Sequence, residues 1–155
     1  MAKVEKISAV NGEIQVVAFK LRQEEYGFSI LNVQEIKGLT DITRVPFAPD
    51  FIKGVINLRG SVLPVIDLKK RLGLQQAPYT DSTRIVIVQV EDISVGMIVD
   101  AVTEVLTIDA EHIDATKSIS DSDNSRFING IGKIDDRLII MLNLDEIIAL
   151  PGEAK

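Results

Sequence analysis

The sequence contains no cysteine and no tryptophan, and only 5% of its 155 residues are aromatic. The absence of cysteine excludes disulfide frameworks and thiolate metal sites, and it fits a reducing compartment. With so few aromatic side chains, the core must be built from Val, Ile and Leu, which suit the half-buried surface of a β-sheet.

Long apolar runs are missing as well. The first 13 residues hold no run long enough for a signal peptide, and no later segment approaches the roughly 18 uncharged apolar residues of a membrane span. Apolar residues still make up 46% of the chain, and there is no low-complexity tract. We expect one globular, cytoplasmic folding unit that does not insert into a membrane.

Positive charge is in the minority, with 17 Lys and Arg against 23 Asp and Glu and a net charge of -6. This is the wrong sign for a protein held on a polyanion, so we expect no nucleic-acid partner. The most basic spot is Lys69, Lys70 and Arg71. Their spacing predicts the solvated face of one helical turn.

Short segments rich in β-branched residues dominate the chain, and turn signals such as Arg59-Gly60 and Asp135-Asp136 separate them. This spacing is typical of antiparallel hairpins in small barrels or sandwiches. Long crossover helices are missing, which disfavours a parallel α/β sheet. The predicted strands are 13–21, 26–30, 55–58, 61–67, 84–90, 94–99, 102–108, 128–134 and 138–143.

Helical patterns are few and short. One covers 68–72 and ends before a glycine, and another covers 144–150 and ends before Pro151. A third short turn is predicted near 50–53, where Asp50 is a candidate cap.

A polar segment, 75–82, falls near the middle of the sequence and is predicted to join two β-rich halves. We therefore predict a single domain, 1–155, with a first barrel at 13–72 and a second at 83–148. Exchange of segments between the halves is left open.

Two strand segments, GVINLRGSVLPVID and RIVIVQV, are apolar at most consecutive positions, whereas a strand with one solvated face alternates. Both faces of these strands must therefore be covered. The cover is either the second half of the chain or a partner protein, because monomers rarely expose large apolar patches. The pattern alone does not choose between them.

Residues for nucleophilic or phosphate chemistry do not assemble into a motif. The only histidine, His112, lies in a polar stretch without a second metal-type ligand, and we expect a solvated loop residue. Gly130 and Gly132 hint at a nucleotide fingerprint, but Asp135 occupies the third glycine position. Ile134 stands where a phosphate loop needs Ser or Thr.

Carboxylates do not form a motif either. Residues 121–125 resemble the opening of a calcium loop, but Arg126 and Gly132 stand where that loop needs Gly and Glu. A pair such as Asp100 and Glu104 suits acid–base work, yet edge strands use the same residues for solubility. We predict no catalytic residue, no metal site and no cofactor.

Residues 51–67, FIKGVINLRGSVLPVID, resemble the central hairpin of the CheW family. The resemblance extends in family order to VQEIKG at 33–38, TRVP at 43–46, and NGIG at 129–132 followed by Arg-Leu at 137–138. It covers about 16–148. It implies an all-β fold of two small five-stranded SH3-like barrels packed together, without an active site.

The resemblance also implies a function. Family members are adaptors that join the cytoplasmic tip of chemoreceptors to the regulatory domain of the histidine kinase CheA. It implies receptor-binding residues at Val33, Glu35, Gly54, Arg59, Val102, Val105 and Gly130, and kinase-binding residues at Ile42, Arg44 and Val62.

Several alternatives stay open from the sequence. Arg59 either contacts a receptor or only pairs with Glu35, and Val33, Val102 and Val105 have the composition of core residues. A CheW-like adaptor of a related motility pathway, a small β-barrel ligand-binding module and a carboxylate hydrolase are the competing functions. The missing basic stripe and stacking aromatics disfavour a nucleic-acid module.

Overall fold

The computed structural model describes residues 12–114 and 126–149, and strands make up most of that part of the chain. Two short α-helices and the 3₁₀ turns Ile30–Asn32 and Ala110–His112 are also present. The strands are β1 (Glu13–Leu21), β2 (Glu24–Ser29), β3 (Val33–Gly38), β4 (Ile52–Leu58), β5 (Ser61–Asp67), β6 (Arg84–Val90), β7 (Ile93–Val99), β8 (Ala101–Asp109), β9 (Ile113–Asp114), β10 (Ile128–Ile134) and β11 (Arg137–Leu142). The helices are α1 (Leu68–Arg71) and α2 (Leu144–Ile148).

The strands form two sheets. One has six strands in the order β8-β1-β2-β11-β10-β9, and the other has five in the order β3-β6-β7-β5-β4. Neighbouring strands are antiparallel except where β11 meets β2 and where β5 meets β7. The predicted mainly-β fold is confirmed, with β9 as a short sixth strand in one sheet.

Two strands and one turn differ from the prediction. The strands β3 and β9 were not predicted, because VQEIKG lacks strict alternation and β9 is only two residues long. The short turn predicted near 50–53 is present, displaced by one residue. The Ile52 N–H donates to the Pro49 carbonyl (3.0 Å), which closes a single turn over 49–52, and β4 begins at Ile52.

The predicted barrel boundaries, 13–72 and 83–148, do not describe the sheets. The first hairpin of the chain, β1 and β2, lies in the six-stranded sheet with β8 to β11, and β6 and β7 lie in the five-stranded sheet with β3 to β5. Each half therefore contributes its first hairpin to the sheet that the other half completes. Segment exchange, left open by the sequence, is what the structure contains.

The two halves of the chain repeat the same hairpin. FIKG (51–54) opens β4 as FING (127–130) opens β10. The Asp67 N–H donates to the Phe51 carbonyl and the Asn143 N–H to the Phe127 carbonyl, both at 2.8 Å. Each hairpin then leads into a short helix capped by that Asp or Asn side chain. The fold is thus an internal repeat with exchanged first hairpins.

Three apolar clusters hold the sheets together. One lies inside each sheet, and the largest, the intersheet core, draws on both. Strand β6 shows the division, because Ile85 and Ile87 enter the interior of the five-stranded sheet whereas Val86 and Val88 enter the intersheet core. Full burial of such a side chain stabilises the fold by roughly 1.5–3 kcal/mol. Both faces of this strand are covered within the chain.

The basic cluster at α1 is not a solvated face. Lys69 is 4% exposed and its Nζ lies 2.9 Å from the Asp100 carboxylate. Arg71 turns inward as well, and only Lys70 is exposed. The prediction from charge alone failed because the four-residue helix packs against strand β7, so that most of its surface faces protein.

Candidate partner-binding site

The tip of the β4–β5 hairpin places Arg59 beside strand β3. Arg59 and Gly60 both adopt left-handed backbone conformations, with φ of 51° and 91°, as tight hairpin turns require. The Asn57 side chain accepts the Gly60 N–H at 2.9 Å and closes the turn. In this position the Arg59 guanidinium donates to the Glu35 carboxylate.

The Arg59–Glu35 pair is fixed but open to solvent. The Arg59 side chain is 73% exposed and that of Glu35 30%. The hydrogen bond from Arg59 holds the pKa of Glu35 below its ordinary value, and the same bond raises the pKa of Arg59. Because exposed ion pairs contribute little to stability, the pair orients a charged side chain more than it supports the fold.

A polar strip continues from this pair along β3. The Gln34 side-chain amide donates to Gln89 Oε1 (2.9 Å), and Ser94 Oγ donates to Gln34 Oε1 (3.1 Å). Gln34, Glu35, Arg59 and Ser94 line an open cavity of about 570 Å³. The strip is an ordered hydrogen-bonding surface with a charged end.

The other predicted receptor residues divide between the two sheets. Val33 on β3 and Val102 on β8 are both partly buried against the intersheet core. Val105, on the same strand as Val102, is 51% exposed. The predicted receptor residues thus lie on both sheets at the rim of their shared core, and Glu35 and Arg59 are in direct contact.

Gly54 and Gly130 are buried at equivalent places in the two repeated hairpins. A Cβ on Gly54 would overlap the Thr43 carbonyl, and its φ of 155° strains any side chain. A Cβ on Gly130 would lie 2.8 Å from the Asp114 carbonyl oxygen. Both glycines therefore permit close approach of neighbouring backbone.

Two of the predicted kinase residues flank a bridge to β4, and the third lies on β5. Thr43 bridges to Val55 through two backbone hydrogen bonds of 2.9 and 2.8 Å, which fixes Ile42 and Arg44 on either side. Ile42 packs against the interior of that sheet, whereas Arg44 is exposed. Val62 is 65% exposed on β5.

Comparison with known proteins identifies the family to which this chain belongs. The family model of the CheW-like domain matches residues 15–151. The chain belongs to the CheW family. Among solved structures it is similar to the scaffolding protein TtCheW from Thermoanaerobacter tengcongensis, with a TM-score of 0.84, 40% identity, and coverage of 90% of this chain and 94% of that one.

CheW proteins of two bacteria are similar to this chain over most of their length. The chain is 40% identical to a probable chemotaxis protein CheW of Rhizobium etli, over 89% of each chain. It is 37% identical to the chemotaxis protein CheW of Bacillus subtilis, over 86% of each.

The sequence alone did not reveal two features of this CheW-family chain. Asn129 on β10 is 8% exposed and lines a cavity of about 340 Å³, and its Oδ1 has no hydrogen-bond partner among the described residues. Phe47 stands fully in solvent. The sequence carries no signal for either, because the burial or exposure of a single polar or aromatic residue depends on tertiary packing.

The candidates for chemistry remain separate in the described residues. No group of three or more His, Asp or Glu there could hold a metal ion. His112 is exposed, 3.7 Å from Asp109, and Glu104 pairs with Arg137 at 2.7 Å. The calcium-loop-like segment 121–125 lies outside the described residues. None of the helices in 12–114 and 126–149 has the length and apolar character to cross a membrane.

Proposed function

We propose that this CheW-family chain is a non-catalytic, cytoplasmic scaffold that couples chemoreceptors to the histidine kinase CheA in bacterial chemotaxis. Such a scaffold needs no bond chemistry. It raises the effective concentration of its two partners and passes a conformational bias from one to the other.

One observation carries the proposal: the exposed, oriented Arg59–Glu35 pair at the end of the polar strip. Arginine is over-represented among the residues that dominate binding energy at protein interfaces. Its guanidinium is held by Glu35 yet retains donors that face solvent. Val33 and Val102, at the rim of the intersheet core, supply apolar surface on which an amphipathic receptor helix can lie.

The receptor role is tested with Arg59→Ala in receptor membranes reconstituted with CheA. We expect an unchanged thermal midpoint and a roughly tenfold loss of receptor-dependent kinase stimulation, as for an interface hot spot. Lys133→Ala is the control, because Lys133 forms another exposed pair, with Asp114 at 3.3 Å. If a folded Arg59→Ala protein gives full kinase stimulation, Arg59 is not part of the receptor site.

A further inference from the structure

A cavity of about 340 Å³ is lined by residues of both sheets. Its walls come from the 3₁₀ turn after β2, the turn between β6 and β7, the start of β10, and the end of β11 with the first residues of α2. This volume lies within the range of small-molecule sites in proteins. None of its described lining residues is among those assigned above to receptor or kinase binding.

Asn129 supplies a buried acceptor to this cavity. The residue is 8% exposed, and its Nδ2 donates to the Leu142 carbonyl at 3.4 Å. This contact directs the amide oxygen away from that carbonyl, and Oδ1 has no hydrogen-bond partner among the described residues. Burial of an acceptor without a partner is unfavourable, and native proteins contain few such groups. A ligand that donates a hydrogen bond would satisfy it.

Asn32, the last residue of the 3₁₀ turn, also lines the cavity and uses its amide in the same way. Its Nδ2 donates to the Gln89 carbonyl at 3.0 Å, which leaves its Oδ1 as an acceptor. Asn32 and Asn129 thus both direct their donors to the main chain. Their oxygens remain for a donor in the cavity.

The charge of the cavity is negative. Glu91 and Asp145 line it and are both exposed, and none of its described lining residues is Lys, Arg or His. A cation is therefore attracted and an anion repelled. Two carboxylates alone would not define a site. The buried oxygen of Asn129 is the independent feature that does.

Apolar side chains form the rest of the wall, among them Val90, Met141 and Leu142. A divalent metal ion prefers oxygen ligands on all sides, and no group of three or more His, Asp or Glu in the described residues could hold one. A primary ammonium group on an aliphatic chain suits both parts of the cavity. It carries three donors for the oxygens, and its methylene groups fit the apolar wall.

We propose that this cavity, the Asn129 cavity, binds an alkylammonium ion. The ammonium group donates to Asn129 Oδ1, with Asn32 Oδ1 as a further acceptor and Glu91 and Asp145 as compensating charges. Such a group belongs either to a small aliphatic amine or to a lysine side chain of a partner protein. The site goes beyond the coupling function and does not depend on it.

Titration of the full, ¹⁵N-labelled chain with n-butylammonium chloride at constant ionic strength, followed by NMR, tests the proposal. We expect saturable shifts of the side-chain amide signals of Asn129 and Asn32 and of the Gly130 backbone amide. 1-Butanol is the matched neutral probe, because it has the same aliphatic chain without the charge. It should give no saturable shift.

Variants separate the site from the fold. Asn129→Leu should weaken n-butylammonium binding roughly tenfold or more, as for a lost hydrogen bond to a charged group. It should not lower the thermal midpoint, because the oxygen that it removes has no partner in the described chain. Glu91→Lys should weaken binding by a similar factor through charge reversal. Glu111→Gln, exposed on the 3₁₀ turn Ala110–His112, is the control and binds as the unaltered chain does.

Three results would overturn the site: signals that do not shift, equal shifts with 1-butanol, or full binding by a folded Asn129→Leu protein. Saturable shifts of the same signals with calcium chloride would overturn the ammonium assignment.

Calorimetric titration of n-butylammonium into the chain bound to CheA, or to receptor membranes, identifies the source of the ammonium group. If n-butylammonium still binds, the ligand is a small amine. If one partner displaces it, the ligand is a lysine side chain of that partner.

Discussion

Arg71 shows how one side chain joins the two repeated halves. Its guanidinium lies between the rings of Phe51 (4.2 Å) and Phe127 (4.8 Å), the residues that open the two equivalent hairpins. Its Nε donates to the Ile147 carbonyl (2.8 Å), and Nη2 donates to the carbonyls of Glu146 and Ala149. The end of α2 thus depends on a residue of α1. Burial lowers the pKa of Arg71, a cost that these contacts offset.

Replacing Arg71 with Met should destabilise the fold by about 3 kcal/mol, because three carbonyl contacts with a charged donor are lost. Arg71→Lys should recover only part of this, because an ammonium lacks the planar fork and stacks poorly. Urea unfolding measures the stability of each variant. Lys70→Met is the control, because Lys70 is the exposed residue directly before Arg71. Equal midpoints for Arg71→Met and Lys70→Met would contradict the role.

Glu25 makes the fold sensitive to acid. It accepts two hydrogen bonds from Arg137, at 2.9 and 2.7 Å, and the Arg137 contact lowers the pKa of Glu25 below its ordinary 4.5. A carboxylate with a lowered folded pKa stabilises the fold fully above the unfolded pKa, and this stability is lost as the pH falls through the folded pKa.

The stability difference between the unaltered chain and Glu25→Gln should therefore be constant above about pH 5 and shrink as the pH falls below 4.5. Thermal unfolding between pH 3 and 7 measures it. Glu13→Gln, at an exposed position on β1, is the control. If the stability difference between the two proteins does not change with pH, the ion pair adds no stability.

At the level of the elements, the close approach at Gly54 fixes how β4 lies against the Thr43 bridge. Gly54→Ala should cost about 3 kcal/mol or more, since a Cβ there would overlap the Thr43 carbonyl in a strained conformation. Gly38→Ala is the matched control, because nothing lies within 4 Å of its Cβ position. Chemical denaturation measures the free energy of unfolding of both variants, and we expect Gly54→Ala to be the less stable. Equal stabilities would refute the steric argument.

Strand positions were largely readable from the sequence, and strand partners were not. β1, β5, β6 and β10 begin and end where β-branched runs bounded by turn residues predicted. The parallel contacts of β5 with β7 and of β11 with β2 join segments far apart in the chain, which local pattern does not encode.

For the candidate site, the family resemblance suggested Arg59 and Glu35 and the sequence left their pairing open, and the structure shows that the two side chains are in contact. The burial of Lys69, the role of Arg71 and the exposure of Phe47 could not be predicted from the sequence. Each depends on packing between distant segments, which residue type alone does not determine.

As a whole molecule, the protein is two repeats that complete each other. Because β1 and β2 join the sheet of the second half, and β6 and β7 that of the first, neither half contains a whole sheet. A partner that shifts one half must therefore strain strands of the other. This interlocking suits a scaffold that passes a bias between two partners.

Fragments cut in the 75–82 connection should not fold alone, since each lacks the hairpin that its sheet needs. Mixed in equal amounts, they should regain the β-sheet signal of the intact chain. Circular dichroism of the separate and mixed fragments, with the intact chain as reference, measures this. Two fragments that fold independently would contradict the exchanged topology.

The central claim is coupling, and the most direct test is reconstitution of the full chain with receptor membranes and CheA, followed by measurement of kinase autophosphorylation. We expect a ternary complex, and kinase stimulation that requires this chain and falls with Arg59→Ala. Absence of both the complex and the stimulation with the unaltered chain would contradict it.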